Sequence, residues 1–425
     1  MQRNNSAKGK NNNAASDTAE VDLAVYSAVE SVFVSGAFCA KAITDALKTL
    51  KIDRARAFVT SAFYGVLDNN IRLEKIISSL CEKHPDPRSE SVLKIGLYYI
   101  RYADMPDYAA VNRTVELAKR VNGVYGGFIN AVLKKSINFV PTFNGLLEKF
   151  SYEHGTPEWL CKKLIVDYSE TRAASILDAK LPDGTHIRPV KGRMTWEKFA
   201  EIAEKNKCET TEFGCFASRR AQNKFPTGAV TVQSLASIRA VRAYITGISC
   251  GKVLDLCAAP GGKSVYISES GDFDVTACDV YPHKTELIRG MANALGANIS
   301  VMLNDATKLN ERFIDAYDLV IADCPCSGTG TLKSRPDILL KRKPSDIDEL
   351  TQLQTEILQN AASYVKPSGV LCYSTCSVLK AENERITLGF LANHPEYTLI
   401  DETKFLPDRD GCDGFYIARY KRSEQ

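Results

Sequence analysis

Two cysteines stand where thiol chemistry is most readily done: Cys326, in Asp323-Cys324-Pro325-Cys326-Ser327-Gly328-Thr329-Gly330, and Cys376, in Tyr373-Ser374-Thr375-Cys376-Ser377-Val378. The first follows the apolar run Leu319-Val320-Ile321-Ala322 and the second follows Gly369-Val370-Leu371-Cys372. Both runs read as buried parallel strands that deliver a thiol to their carboxyl ends, where ligands of open α/β sheets bind. A thiol pair at such an edge, beside a glycine-rich loop and an acid, suggests covalent catalysis on a bound substrate. The competing reading is packing, because free cysteine is among the most buried residue types.

The glycine-rich loop is Cys257-Ala258-Ala259-Pro260-Gly261-Gly262-Lys263-Ser264. Its last three residues match the end of a P-loop, but that motif needs glycine at position 257, where this chain has cysteine. The dinucleotide pattern Gly-x-Gly-x-x-Gly is absent as well. What remains is a tight glycine turn that lets backbone approach a ligand. Asp279 lies 18 residues after Gly261, close to the spacing at which an acid meets a ribose diol. Asp305 closes the next strand, within reach of an adenine amino group. With no phosphate signature, S-adenosylmethionine fits these strand ends better than a dinucleotide does. Taken singly, either aspartate is a turn residue or a helix cap.

Elements that could position such residues follow from the pattern of the chain. From Gly251 onward strands and helices alternate, with strands expected at 252–256, 274–278, 299–303, 319–322 and 370–373. A helix is expected over 348–365, with Leu350, Leu353, Ile357, Leu358 and Ala361 on one face. The fold class is therefore an α/β Rossmann-like domain over 246–425. Residues 21–140 read as an all-α bundle, Val92, Leu93, Ile95, Leu97, Tyr98 and Ile100 being its most apolar stretch. Residues 141–245 form a small α+β connecting domain around Pro141, Pro157, Pro182 and Pro226. Residues 1–20, rich in Asn, Ser, Lys and Ala, are expected to be a disordered tail.

Composition excludes more than it selects. Lys+Arg 54 against Asp+Glu 51 gives a net charge of +3, so nucleic-acid affinity has to come from local patches. Thirteen cysteines without an apolar leader segment imply a reducing, cytoplasmic setting rather than a disulfide framework. No apolar stretch reaches the roughly 18 residues of a membrane span.

Several strings together carry a family resemblance. Leu254-Asp255-Leu256-Cys257-Ala258-Ala259-Pro260-Gly261-Gly262-Lys263, the two cysteine segments, Arg335-Pro336-Asp337-Ile338 and Asp413-Gly414-Phe415-Tyr416 resemble the Sun/Fmu group of RNA cytosine-5 methyltransferases. Upstream, Tyr64-Gly65-Val66-Leu67, Leu97-Tyr98-Tyr99-Ile100, Pro106-Asp107-Tyr108-Ala109-Ala110-Val111-Asn112 and Phe128-Ile129-Asn130-Ala131-Val132-Leu133 resemble the NusB-like RNA-binding bundle. The segment Thr227 to Ser237 is similar to the family's lead-in to the catalytic domain, with Ser234 replacing the usual acid.

The resemblance implies methyl transfer from S-adenosylmethionine to carbon 5 of a cytosine in 16S ribosomal RNA, free or within a partly assembled small subunit. Carbon 5 is too electron-poor to attack a sulfonium until a nucleophile adds at carbon 6. The resemblance makes Cys376 that nucleophile, Cys326 the group that assists release, and Asp323 the partner of the protonated ring nitrogen. Lys263 and loop amides are candidates for favouring the thiolate. The loop Cys257, Ala258, Ala259, Pro260, Gly261, Gly262 and Lys263, with Asp279, Asp305 and Asp323, is expected to hold the cofactor.

Cys324 and Cys372 read as packing residues within strands. Zinc held by Cys324, Cys326, Cys372 and Cys376 is the alternative, opposed by Pro325 and by the absence of histidine from either motif; no metal is expected. The basic segment Lys333, Arg335, Lys341, Arg342 and Lys343, like Lys134 and Lys135, reads as a solvated face or as a track for phosphates. RNA shape and a flipped base would supply specificity. The same chemistry on transfer RNA, or a non-catalytic RNA-binding assembly protein, are the other readings.

Overall fold

The computed structural model describes residues 5–424, which divide into two compact units on either side of the Lys162–Lys163 bond. The first unit is helical. Helix Pro87–Arg101 begins under Asp86, whose carboxylate accepts from the amides of Arg88 at 3.0 Å and Ser89 at 3.1 Å, with Pro87 in the first turn. Val92, Leu93, Ile95, Leu97 and Tyr99 are all wholly buried, so the middle of this helix is enclosed on every side, as its strongly apolar stretch requires. Lys94 is buried with them, and its ammonium is paired with Glu74 at 3.0 Å and Glu90 at 2.9 Å. Close packing explains two glycines. A Cβ on Gly65 would stand 2.2 Å from the Tyr98 ring, and one on Gly96 would stand 2.7 Å from Thr114.

The expected disordered tail is corrected here. A single helix runs Asn5–Phe33, and residues 1–4 of the expected tail lie outside the described residues. Ala19 favours helix, and Asp17 and Glu20 anchor it through Arg54 at 2.7 Å and the Lys51 amide at 2.6 Å.

The second unit carries two sheets. The smaller has strands β1 (Thr185–Pro189), β2 (Glu209–Thr210), β3 (Cys215–Ala217) and β4 (Val230–Val232), in the order β2-β3-β1-β4 and antiparallel throughout. Ile187, Cys215 and Ala217 pack with Phe199 and Ala203 of helix Trp196–Lys205. Ser234 then caps helix Leu235–Tyr244, its hydroxyl accepting from the Ser237 amide at 3.2 Å. Serine therefore does there what an acid does at a helix start.

The larger sheet has seven strands: β5 (Cys250–Asp255), β6 (Asp272–Asp279), β7 (Ser300–Leu303), β8 (Tyr317–Asp323), β9 (Val365–Thr375), β10 (Tyr397–Phe405) and β11 (Phe415–Arg422). Their order is β10-β11-β9-β8-β5-β6-β7; β5 to β9 are parallel, and β11 runs antiparallel to both β9 and β10. Alternation along the strands builds two cores. Leu254, Val320 and Leu371 face Ile357, Leu358 and Ala361 of helix Pro344–Tyr364, whereas Val253, Leu319 and Cys372 face Ala240, Val241 and Tyr244. Burial of each large aliphatic chain there contributes about 1.5–3 kcal/mol. All five expected parallel strands are present; β10 and β11 were not anticipated. No helix among the described residues is long and apolar enough to cross a membrane.

Candidate active site

Neighbouring parallel strands deliver the two thiols. Asp323, the last residue of β8, is in register with Ser374 of β9, and the Cys324 amide extends the ladder by one bond to the Ser374 carbonyl at 2.9 Å. Pro325 cannot donate the next bond, so the chain leaves the sheet there. Cys326 and Cys376 then meet with their sulfurs 3.0 Å apart, both partly buried and both free of disulfides. The Gly330 amide donates to the Cys376 carbonyl at 2.9 Å, and the Gly414 amide to the Gly330 carbonyl at 2.7 Å. A side chain at 330 is impossible, since its Cβ would lie 2.3 Å from the Gly414 oxygen.

The surrounding charges separate the two thiols. The hydrogen bond from the Cys326 thiol is the main reason Cys376 lies below the ordinary thiol range; Lys263 and Arg335 add to it, against burial and Asp323. The same bond, with burial and the charge of Glu382, holds Cys326 well above that range. Lys263 sits 2.7 Å from Asp323 Oδ2 and 5.4 Å from the centre of the Phe415 ring. Burial alone would lower the Lys263 ammonium, but Asp323 outweighs it and the group is raised. The other oxygen of Asp323 accepts from Ser374 Oγ at 2.9 Å, which in turn lies 2.6 Å from the Tyr244 hydroxyl. Cys376, Cys326, Asp323 and Lys263 thus form one cluster: two thiols shifted in opposite directions, an ammonium and an oriented carboxyl group.

Cys324 and Cys372 do not converge on it. Cys324 packs into the core with Leu254 and Val320, and Cys372 into the opposite one with Val253 and Leu319. Among the described residues, no group of three or more His, Cys, Asp or Glu side chains is placed to hold a metal ion.

The glycine loop borders the cluster through Lys263. The Ala258 amide donates to the Cys278 carbonyl and the Gly261 amide to the Ala258 carbonyl, both at 2.8 Å. Gly261 has φ 108°, a left-handed conformation, and a Cβ there would meet Ile288 Cα at 3.2 Å. Cys257 and Ala259 are partly buried and Pro260 is exposed, while Gly262 opens helix Gly262–Ser270. Its carbonyl accepts from Gln233 Nε2 at 3.1 Å, and Gln233 is held by Arg188 at 2.7 Å.

Three acids stand at the ends of the adjacent strands β5, β6 and β7. Asp255 is buried; its Oδ2 accepts from Ser264 at 2.6 Å, its Oδ1 has no partner, and burial pushes the group up to about 6. Asp279, also buried, accepts from the Tyr281 amide at 3.3 Å and lies 3.7 Å from Lys284. Asp305 is held by Thr307 Oγ1 at 2.7 Å, a bond that lowers its carboxyl below the usual range. Beside it, Asn304 Nδ2 is buried with no partner. Unpaired polar atoms next to an open glycine turn suit a polar ligand with amino and hydroxyl groups.

Sequence reasoning missed three contributors. Glu382 is wholly buried and binds Ser327 and Ser377, the residues that follow the two thiols. Within Lys380-Ala381-Glu382-Asn383-Glu384, which reads as a solvated charged loop, nothing distinguishes it. Gln354, on an otherwise apolar helix face, holds the Pro325 carbonyl at 2.9 Å. Arg342, grouped by sequence with a basic surface, turns inward to the carbonyls of Cys326 at 3.1 Å and Ser327 at 3.2 Å.

Comparison with known proteins places this geometry in context. Residues 249–421 match the family described as 16S rRNA methyltransferase RsmB/F, and residues 23–138 match the NusB family. A probable ribosomal RNA small subunit methyltransferase B of Bacillus subtilis (strain 168) is 30% identical over 409 residues, covering 87% of this chain and 91% of that protein. The ribosomal RNA small subunit methyltransferase B of Enterobacter sp. (strain 638) is 29% identical over 421 residues, covering 92% and 96%. The crystal structure of PH0851 shares the fold, with TM-score 0.79 at 23% identity over 94% of this chain and 98% of that one.

Proposed function

This chain belongs to the RsmB/F family of 16S rRNA methyltransferases, and from that membership together with the site we infer how its own residues act. The enzyme is an S-adenosylmethionine-dependent RNA cytosine-5 methyltransferase, with 16S ribosomal RNA as its substrate. The observation that carries the residue assignment is the pair of sulfurs 3.0 Å apart beside the Lys263–Asp323 pair at 2.7 Å.

Cys376, its thiol held below the ordinary range chiefly by the hydrogen bond from Cys326, adds as the thiolate to carbon 6 of the cytosine and makes carbon 5 nucleophilic. Asp323, oriented by Ser374, accepts a hydrogen bond from the protonated ring nitrogen as charge develops on the base. Lys263 pairs with Asp323 and adds positive charge near the Cys376 sulfur. Cys326, the neighbouring thiol, assists the final step, in which water takes the carbon 5 proton, the C–H electron pair restores the ring double bond, and the bond to Cys376 breaks with its electron pair returning to sulfur.

S-adenosylmethionine supplies an electrophilic methyl group on a sulfonium. The residues fit it: the unpaired Asp255 Oδ1 and the glycine turn at the end of β5, and the unpaired Asn304 Nδ2 at the end of β7, offer polar groups. Cys257, Ala258, Ala259, Pro260, Gly261, Gly262 and Lys263 would line its methionine portion together with Asp255 and Asp323, Asp279 its ribose, and Asp305 its adenine. Residues 21–140 would bind RNA as a NusB-like domain, 141–245 would connect, and 246–425 would catalyse. The substrate would be rRNA in the cytoplasm, free or within a partly assembled small subunit.

Incubating variants with 16S rRNA transcript and resolving them under denaturing conditions tests the roles. Cys376→Ala is expected to lose both methylation and the RNA adduct, and Cys326→Ala to accumulate the adduct. An adduct formed by Cys376→Ala would reverse the assignment.

A further inference from the structure

Glu382 takes no part in the steps above, yet its position is highly constrained. Oε1 accepts from the Ser327 amide at 2.7 Å and Gln354 Nε2 at 3.1 Å; Oε2 accepts from the hydroxyls of Ser327 and Ser377, each at 2.5 Å. A carboxylate excluded from water is costly unless donors of this kind surround it, and charge-assisted bonds are about twice as strong as neutral ones. Ser327 and Ser377 directly follow Cys326 and Cys376, while Gln354 also grips the carbonyl of Pro325, which directly precedes Cys326. One side chain therefore ties together the two loops that carry the sulfurs. The Tyr373 hydroxyl, donating to the Glu382 carbonyl at 2.5 Å, fixes the backbone from below.

We propose that Glu382 is a positioning residue for the methyl transfer, holding the residues after both thiols so that Cys326 keeps its proton and offers it to Cys376. The proposal rests on the cysteine-adduct reading. Its logic is electrostatic as well as mechanical. Of the charged groups around the sulfur pair, Lys263 and Arg335 act on Cys376 in favour of the thiolate, Asp323 acts against it, and Glu382 acts on Cys326 in favour of the thiol. Removing the Glu382 charge and loosening its ties should make the two thiols more alike.

The test uses the full chain carrying Glu382→Gln, and alkylation by iodoacetamide across a pH series, read at each cysteine by peptide mass spectrometry. In the parent, Cys376 should react at lower pH than Cys326. In Glu382→Gln the two midpoints should approach each other by about one pH unit or more. Methylation of a 16S rRNA transcript should fall in kcat by about tenfold or more, with KM for S-adenosylmethionine within about twofold. Ser377→Ala, which keeps the buried carboxylate and drops one tie, should also lower kcat. Unchanged midpoints and kcat in a folded Glu382→Gln would overturn the proposal, as would a Ser377→Ala protein of parental kcat if Glu382→Gln does not fold. Failure of the parent to methylate or to form an adduct would count against the adduct reading instead, because the alkylation midpoints need no RNA.

Discussion

Asp255→Asn should stabilise the folded chain at neutral pH, by an amount that grows with pH. Asp255 is 1% exposed, has one oxygen without a partner, and is raised from 3.8 to about 6, chiefly by burial, with the Ser264 hydrogen bond opposing and the charge of Asp323 adding. A shift of about two units corresponds to about 3 kcal/mol. Because the folded protein holds this proton more tightly than the unfolded chain does, the group favours folding below about pH 4, and that contribution is lost as pH rises through about 6. Asparagine does not titrate, so the stability difference, variant minus parent, should climb by about 3 kcal/mol between pH 4 and pH 7.5 and then level off. Any fixed cost of the new amide shifts the whole curve without changing its slope. Urea unfolding without cofactor, followed by fluorescence in a Trp159→Phe background so that Trp196 reports on the second unit, measures this directly. A difference that stays flat with pH would refute the reasoning, showing that the Asp255 charge is compensated in the folded state.

Two other outcomes follow from the same geometry. Asp279→Ala should weaken S-adenosylmethionine binding by about 1.5–3 kcal/mol, roughly 10–100-fold, through loss of a charge-assisted ribose contact; calorimetric titration giving parental affinity would remove Asp279 from the site. Lys134 and Lys135 end helix Gly126–Ser136 and are exposed, so Lys134→Ala/Lys135→Ala should flatten the salt dependence of RNA affinity by roughly 1.4–1.8 in slope if both meet phosphates, as filter binding across a salt series would show.

Much of this architecture is legible because buried parallel strands write themselves as apolar runs. Leu319 to Ala322 and Val370 to Cys372 need no partner to be recognised, and the thiols that follow them inherit their positions from strand ends. The antiparallel strands are harder. In β11 the run Phe415-Tyr416-Ile417-Ala418 is broken by Arg419, which is buried against Asp401 on β10 at 2.7 Å and the Thr246 carbonyl at 2.6 Å. Each strand makes sense only once the other is in place. The same holds for the buried Glu382 and the half-buried Arg342, whose partners come from loops distant in sequence. The amino-terminal helix eluded composition for another reason: a segment too polar to fold alone is held through Asp17 and Glu20 by contacts to Arg54 and Lys51. Ser234 shows the reverse case, where a departure from the family pattern preserves the helix cap.

The tie from Gly414 to Gly330, and from Gly330 to Cys376, has a consequence for the order in which the site is assembled. Gly414 directly precedes β11, the neighbour of β9 on the side away from β8. Contacts between segments so far apart in the chain form only after a long loop has closed. The restraint on the Cys376 carbonyl is therefore coupled to the docking of β11 and not to the local turn that carries the thiol.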